Sequence, residues 1–155
     1  MATFIVHAVP DAIAGEVRSS GRAPSYGHPA HREVARGTGP CRACLRPFEI
    51  GKEERLLFTY SPSSGGALAE PGPVFIHAET CVRHEGLGYP PGLGAIPIVA
   101  QAYFDDGTIS EPHALPAGQQ SSLLQRLLDQ PRIAFAHLRH AEAGCFIARV
   151  ERVGT

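Results

Sequence analysis

The chain has 155 residues, the usual length of one domain, and 43% of them are hydrophobic and 19% charged, so it is expected to fold rather than remain disordered. A net charge of −1, without adjacent basic residues, argues against binding to nucleic acid or to an anionic membrane surface. The 17 glycines and 14 prolines indicate many turns, so we expect one loop-rich domain over residues 1–155.

An apolar stretch at residues 2–8 is predicted to form the first strand. It is too short for the apolar region of a signal peptide and has no preceding positive charge. Nowhere does the chain approach the roughly 18 consecutive apolar residues of a membrane span. We therefore expect a cytoplasmic protein without a membrane segment, whose four cysteines are thiols, thiolates or metal ligands. Export would instead allow three disulfide pairings.

The next predicted elements are one helix and two strands. Asp11 is a candidate cap for a short helix that ends at residue 18. Residues 19–40 show no clear period and are predicted to be a linker or part of a site. Alternating apolar residues predict a half-buried strand over residues 54–60. After a loop over residues 61–72, residues 74–78 are predicted to form a buried strand.

The C-terminal half is predicted to begin with a strand over residues 98–104, which ends at the turn signal Asp106-Gly107. Ser121 or Ser122 then caps a second helix, and Pro131 ends it. Four leucines are predicted to share one face of this helix. They are Leu123, Leu124, Leu127 and Leu128.

Two strands joined by a short loop end the chain, over residues 133–140 and 145–152. They are the clearest hairpin in the sequence. Together with the earlier elements they predict an α+β fold, with a mostly antiparallel sheet of about six strands and two short helices.

The cysteines and one histidine suggest a metal site. Cys41 and Cys44 form a C-x2-C pair, in which two thiolates can bind the same ion. His77 and Cys81 are four residues apart, so a helix that begins near residue 78 would place both on one face. Together the four residues are a Cys3His set, which predicts a closed structural zinc site with tetrahedral coordination.

Two other interpretations of these cysteines stay open. Buried thiols can serve as small core residues without metal, and a C-x2-C pair can also take part in redox or disulfide chemistry. A thioredoxin-like site is disfavoured because no βαβ pattern surrounds Cys41. A c-type haem site is excluded because Leu45 stands where histidine is required.

The strand over residues 133–140 carries a candidate ligand pocket. Its alternation places four residues on one face, namely Ile133, Phe135, His137 and Arg139. Pairing of His140 with Cys145 across the loop sets Phe135 opposite Val150, His137 opposite Ala148 and Arg139 opposite Phe146, and leaves Cys145 on the other face. A register slip of one residue would reverse this assignment.

His137 and Arg139 are candidates for binding a small anion or for stabilising developing charge, with Glu70 as a carboxylate partner. The alternative is a core-edge histidine, an arginine that covers apolar surface and a solvated glutamate. If the strands that contain His77 and His137 were neighbours in one sheet, the two imidazoles would meet at the sheet end. The zinc site and the pocket would then compete for His77.

The residues from Cys41 to Glu53 resemble the first knuckle of treble-clef and RING-type zinc fingers, and His77 with Cys81 resembles their second ligand pair. The chain lacks the eight ligands of a RING. Three longer motifs, in the same order and spacing, resemble a bacterial family called domain of unknown function 1203. They are Pro40-Cys41-Arg42-Ala43-Cys44-Leu45, Glu70-Pro71-Gly72-Pro73-Val74-Phe75-Ile76-His77 with Cys81, and His137-Leu138-Arg139 with Gly144-Cys145. That family implies no established activity.

Three functional hypotheses follow. The first is a non-catalytic module with a structural zinc ion at the Cys3His set, which binds a small anionic ligand or a protein partner. The second is a small enzyme that uses His77, His137 and Arg139, with Glu70 or a cysteine, on an anionic small molecule. The third is a metal-free thiol protein. The first is favoured because no nucleophile elbow, Walker loop, dinucleotide-binding glycine pattern or HExxH motif is present.

Overall fold

Two antiparallel sheets, of five and three strands, make up most of the computed structural model, which describes residues 4–62 and 70–153. The elements are, in chain order, β1 (Phe4–His7), α1 (Asp11–Ser20), β2 (His31–Val34), β3 (Glu54–Tyr60), β4 (Gly72–His77), a 3₁₀ helix (Pro91–Leu93), β5 (Ile98–Phe104), β6 (His113–Leu115), α2 (Gln120–Leu128), β7 (Ile133–His140) and β8 (Phe146–Arg152). The predicted α+β class is confirmed. The predicted single sheet of about six strands is wrong, because the described residues form eight strands in two sheets.

The five-stranded sheet has the order β1-β8-β7-β5-β6, and α2 packs on one of its faces. The predicted leucine face of α2 is confirmed, since Leu124, Leu127 and Leu128 are buried there and Leu123 packs at the edge. Alanines on the sheet let the helix approach closely. They are Ala100, Ala102, Ala136 and Ala148, and with the leucines they form the larger core of the protein.

Helix α2 begins differently from the prediction. Its cap position is occupied by Gln119, and no side chain caps the helix, so neither Ser121 nor Ser122 has the predicted role. The chain turns at Gly118, whose φ of 82° is left-handed, and the buried side chain of Gln120 donates a hydrogen bond to the Leu93 carbonyl. The turn at Gly118 and the hydrogen bond of Gln120 together determine where the helix begins. Similarly, α1 follows Pro10 and has no side-chain cap at Asp11.

The β7–β8 hairpin keeps the predicted register only next to its loop. Arg139 lies opposite Phe146 as predicted, but His137 lies opposite Arg149 and not opposite Ala148. The reason is an irregularity between Leu138 and Arg139, where the pairing shifts by one residue. For the same reason Val150 lies opposite Ala136, one residue from the predicted partner.

A second bulge reassigns one residue of β7. Its pairing with β5 shifts between Tyr103 and Phe104, which makes Ala134 the extra residue. Ile133 is therefore buried in the larger core under α2, and the prediction that it shares a face with Phe135 is wrong. Phe135 and His137 do lie together, with ring centroids 5.4 Å apart.

The three-stranded sheet has the order β2-β3-β4, and α1 packs on it through Ala14 and Val17. Strand β2 lies within residues 19–40, for which no element was predicted. It is an edge strand without apolar alternation, held to β3 by the cross-strand pairs Arg32–Glu54 and Arg55–Glu33. The predicted strand over residues 54–60 is confirmed as β3.

The first predicted strand and the predicted loop before β4 lie partly outside the described residues. The first predicted strand is β1, whose residues 4–7 fall within the predicted 2–8, while residues 1–3 lie outside the described residues. Most of the predicted loop over residues 61–72 also lies outside them. None of the helices in the described part of the chain is long and apolar enough to cross a membrane.

Candidate metal centre

A tight turn between β2 and β3 positions the first two candidate ligands. The backbone N–H of Leu45 donates to the Cys41 carbonyl, and the N–H of Cys41 donates to the Arg46 carbonyl (2.9 and 3.0 Å). Leu45 has a left-handed φ of 56°, which closes the turn and leaves both cysteine side chains on its inner side. Cys41 and Cys44 are both buried, and the turn is compatible with the zinc knuckle that the C-x2-C pair predicts.

The second pair of ligands comes from the end of β4 and the bend that follows it. The predicted helix from residue 78 is wrong, because residues 78–85 are not helical. Backbone hydrogen bonds hold this segment instead, from Ala78 to the Glu54 carbonyl and from His84 to the Ala43 carbonyl (3.0 and 2.9 Å). The second bond ties the bend to the knuckle, so Cys81 returns to the cysteine pair without any helix.

The four candidate ligand atoms lie within 4.8 Å of one another. The sulfurs of Cys41 and Cys81 are 3.8 Å apart, and the Cys44 sulfur is 3.5 Å from Nδ1 of His77. Zn–S bonds of about 2.3 Å and a Zn–N bond of about 2.0 Å at tetrahedral angles require separations of about 3.8 Å and about 3.5 Å. These two separations match those values, so the donor set is compatible with zinc, and four protein ligands would complete a tetrahedral shell.

Polar groups around the cluster orient its ligands. Nε2 of His77 lies 3.0 Å from a carboxylate oxygen of Glu53, which leaves Nδ1 facing the sulfurs. The Arg18 guanidinium donates to the sulfur of Cys81 and to the His77 carbonyl (3.3 and 3.0 Å). The N–H of His77 donates to the sulfur of Cys41 (3.3 Å). Such outer contacts are expected around metal ligands, because they fix the imidazole tautomer and balance thiolate charge.

The cluster also favours a thiolate. Hydrogen bonds with Cys41, and then Cys81, lower the pKa of Cys44, while the contact with Cys44 raises the pKa of Cys41. The hydrogen bond to Cys44 is the main cause that raises the pKa of His77 to about 10. Cys44 is therefore the thiolate of the cluster, and a metal ion would have to displace the protons that Cys41 and His77 retain.

The sequence predicted the four residues of the cluster but not the residues that contact them. Glu53 is the last residue of the segment that resembles a zinc knuckle, but no role was predicted for it. A carboxylate shortly after a C-x2-C pair could have indicated a hydrogen-bond partner for a ligand histidine. Arg18 lies 23 residues before the knuckle in the sequence, and no local pattern links it to Cys81. Only the packing of α1 on the small sheet brings it there.

The three candidate pocket residues lie on or near the face of the five-stranded sheet opposite α2. Glu70 forms an ion pair with Arg139 and accepts a hydrogen bond from the hydroxyl of Tyr103 (3.0 Å). The Tyr103 ring is 4.7 Å from the ring of His137. The structure therefore brings the three residues into one neighbourhood through Tyr103, which sequence reasoning did not single out.

His137 is enclosed by aromatic rings. Its ring lies 5.4 Å from that of Phe135 and 5.0 Å from that of Phe146, and the residue is only 3% exposed. Within the described part of the chain, neither of its nitrogens has a hydrogen-bond partner. The predicted shared site with His77 required the strands of the two histidines to be neighbours in one sheet. That requirement is not met, because β4 and β7 belong to different sheets.

Burial, and to a smaller extent the charge of Arg149, lowers the pKa of His137 to about 4. The imidazole is therefore neutral in the folded protein, whereas in the unfolded chain it takes a proton near pH 6.5. The contribution of His137 to the free energy of unfolding is fully present above about pH 6.5 and is lost as the pH falls toward about 4. We expect a loss of about 2 kcal/mol between pH 7 and about pH 5.

The variant His137→Phe, which retains an aromatic ring among aromatic neighbours, isolates this contribution. Urea unfolding at both pH values should show a smaller acid-induced loss of stability in the variant than in the wild type, by about 2 kcal/mol. Acid release of metal affects both proteins alike and cancels in the comparison. An equal loss in the two proteins would mean that His137 is not held neutral by burial.

Comparison with known proteins gives one match. The family model described as "Protein of unknown function (DUF1203)" matches residues 38–152, a span that contains all four candidate metal ligands and the three candidate pocket residues. No curated protein and no solved structure matches the chain.

Proposed function

The chain belongs to the DUF1203 family, whose function is unknown, and we propose that it is a ligand-binding module whose fold is organised by one structural zinc ion. The observation that carries the proposal is the convergence of four donor atoms from Cys41, Cys44, His77 and Cys81 within 4.8 Å. Soft thiolates with one imidazole favour zinc over the harder divalent cations.

Zinc would hold together segments that are distant in the sequence. The knuckle lies between β2 and β3, whereas the second ligand pair follows β4. A metal bond between the two segments would join the knuckle to the end of β4, at the end of the small sheet where His77 lies opposite Arg55 of β3. Metal-binding free energy then becomes folding free energy, as in other small zinc domains.

A structural role is favoured over a catalytic one by the number and burial of the ligands. Four protein ligands leave no coordination position for water or substrate, which a catalytic zinc ion needs. Cys41, Cys44 and His77 are buried, and Cys81 is half-buried. Any chemistry or ligand recognition is therefore proposed for another part of the surface.

For a small anionic ligand we propose the neighbourhood of Arg139. Its guanidinium carries a positive charge, and its Nε has no partner among the described residues. In the structure its charge is balanced by Glu70, so an anion would have to displace that carboxylate. An acidic side chain of a protein partner could displace Glu70 in the same way.

A small enzyme is the second candidate, and one observation favours it. The imidazole of His137 is buried and neutral with both nitrogens unpartnered, and the Tyr103–Glu70 hydrogen bond lies beside it. Buried groups with a perturbed pKa and no partner are more common at functional sites than elsewhere. His137 would then act as a proton acceptor toward a substrate held by Arg139.

Metal content tests the proposed zinc module. Purified protein should contain one zinc ion per chain by elemental analysis, and a strong chelator should remove it and lower the unfolding temperature. Metal-free protein that unfolds cooperatively at the same temperature would contradict the proposal and would support the metal-free thiol protein.

A further inference from the structure

A cavity of about 470 Å³ lies where the knuckle, β3, β4 and the β7–β8 turn meet. Its size falls in the range of about 300–1,000 Å³ that is typical of small-molecule sites. It contains none of the residues His137, Arg139 and Glu70, so it is separate from the pocket proposed above. The cations in its wall are Arg36, Arg42 and Arg55.

Arg42 is a buried cation of this wall, and it has no counter-ion among the described residues. The residue is only 2% exposed. Its Nε donates to the Phe146 carbonyl (2.8 Å) and its Nη1 donates to the Pro40 carbonyl (2.7 Å). Among residues 4–62 and 70–153 no carboxylate pairs with it. Buried guanidinium groups are normally paired with an anion, because removing a charge from water is costly.

The other two arginines share one carboxylate. Arg55 is buried and donates to Glu33 through Nη2 (2.7 Å), while Nε of Arg36 lies 3.7 Å from the same oxygen. The wall of the cavity itself carries one acidic residue, the exposed Glu142. Three guanidinium groups therefore face this cavity with fewer carboxylates than they could bind, which produces a positive local potential.

A hydroxyl group beside the arginines is oriented to donate. The backbone N–H groups of Glu142 and Ala143 donate to Nδ1 of His140 (3.2 and 3.4 Å), so its proton is on Nε2. Nε2 of His140 then donates to the Thr38 hydroxyl oxygen (3.0 Å). The hydroxyl proton of Thr38 is thus left for an acceptor in the cavity.

The rest of the wall is apolar. Leu57, Pro73 and Phe75 line it, and the guanidinium of Arg55 lies 3.6 Å from the centre of the Phe75 ring. We propose that the cavity binds a small organic anion, with a phosphate or carboxylate head at Arg42 and Thr38 and an apolar body against Phe75. Arginine pairs with either head through parallel hydrogen bonds.

The test uses the zinc-loaded full chain and isothermal titration calorimetry with four probes, phenyl phosphate, benzoate, phenol and inorganic phosphate. We expect phenyl phosphate or benzoate to bind at least about tenfold more tightly than phenol, and the tighter of the two identifies the head group. Phenyl phosphate should also bind more tightly than inorganic phosphate, because only it has an apolar body.

Two arginine variants and one control locate the binding. Arg42→Gln should weaken binding of the tighter probe at least about tenfold, and Arg36→Gln, at an 83% exposed side chain, about threefold. Arg132→Gln is the matched control, since this arginine is exposed and lies outside the cavity wall. It should bind like the wild type.

Arg42 also supports the fold, so Arg42→Gln could lose binding because it misfolds. A second measurement therefore uses the wild-type protein alone. Cys145 lines the cavity and is not a candidate metal ligand, so its alkylation by iodoacetamide reports on occupancy. The tighter anionic probe should slow that alkylation, and phenol at the same concentration should not. Equal affinity for phenol and the anions, unprotected Cys145, or unchanged affinity in both Arg42→Gln and Arg36→Gln would overturn the proposal.

Discussion

Cys44→Ala is expected to abolish stoichiometric zinc binding and to remove most of the stability that the metal provides. The sulfur of Cys44 contacts Nδ1 of His77 at 3.5 Å, so its loss opens the proposed tetrahedral set. Ligand binding to the folded state alone stabilises by about 4 kcal/mol when the free ligand exceeds its Kd a thousandfold. Urea unfolding with zinc present should therefore show a loss of about 4 kcal/mol or more.

Cys145→Ala is the matched control for this variant. Cys145 is the fourth cysteine of the chain, is half-buried and is not a member of the four-residue cluster. We expect this variant to keep one zinc ion and to lose less than about 1 kcal/mol of stability. A Cys44→Ala protein that unfolds at the same urea concentration as Cys145→Ala would contradict a stabilising metal.

Gly92→Ala is the second change with a large expected effect. Gly92 lies in the 3₁₀ helix, and a Cβ atom there would be 2.5 Å from the Leu45 carbonyl oxygen and 2.9 Å from Cα of Arg46. Both atoms belong to the backbone of the knuckle, which cannot move away without disturbing the turn. We expect a destabilisation of about 3 kcal/mol, measured by urea unfolding of the zinc-loaded protein.

Gly15→Ala provides the comparison, because it adds the same methyl group in open space. Gly15 lies inside α1, and nothing is within 4 Å of its added Cβ. Alanine is preferred over glycine in a helix, so this variant should be more stable than the wild type by about 0.5 kcal/mol. Similar stability of the two variants would show that the 3₁₀ helix does not pack tightly on the knuckle.

The fold could be predicted from the sequence wherever the pattern was local. Strand β5 and strand β7 have the predicted bounds, because each combines a run of apolar residues with a clear turn signal. Strand β6 was missed because it has only three residues and its first two are exposed. The bulges next to Arg139 and at Ala134 were also missed, since they depend on the partner strand.

The four residues of the candidate metal cluster were predicted for a similar reason. The spacing of Cys41 and Cys44 determines that their side chains meet, whatever the rest of the fold does. The route by which Cys81 reaches them was wrong, because backbone hydrogen bonds and not a helix hold residues 78–85. Arg18 and Arg42 act through contacts that are distant in the sequence, with Cys81 and with the Phe146 carbonyl, and no spacing rule reveals these.

The candidate pocket shows a further limit of sequence reasoning. Alternation predicted that Phe135 and His137 share a face, and their rings do lie together. Glu70 was a candidate carboxylate partner, and it forms an ion pair with Arg139. The sequence could not decide between this pair and a solvated glutamate, because the two residues are 69 positions apart and meet only in the folded protein. That ion pair determines how an anion could bind there.

X-ray absorption at the zinc edge of the purified, zinc-loaded protein tests the proposed metal centre most directly. We expect three sulfur neighbours at about 2.3 Å and one nitrogen neighbour at about 2.0 Å, since Cys41, Cys44, Cys81 and His77 are the proposed ligands. A shell dominated by oxygen or nitrogen, or one with fewer than three sulfur neighbours, would contradict it.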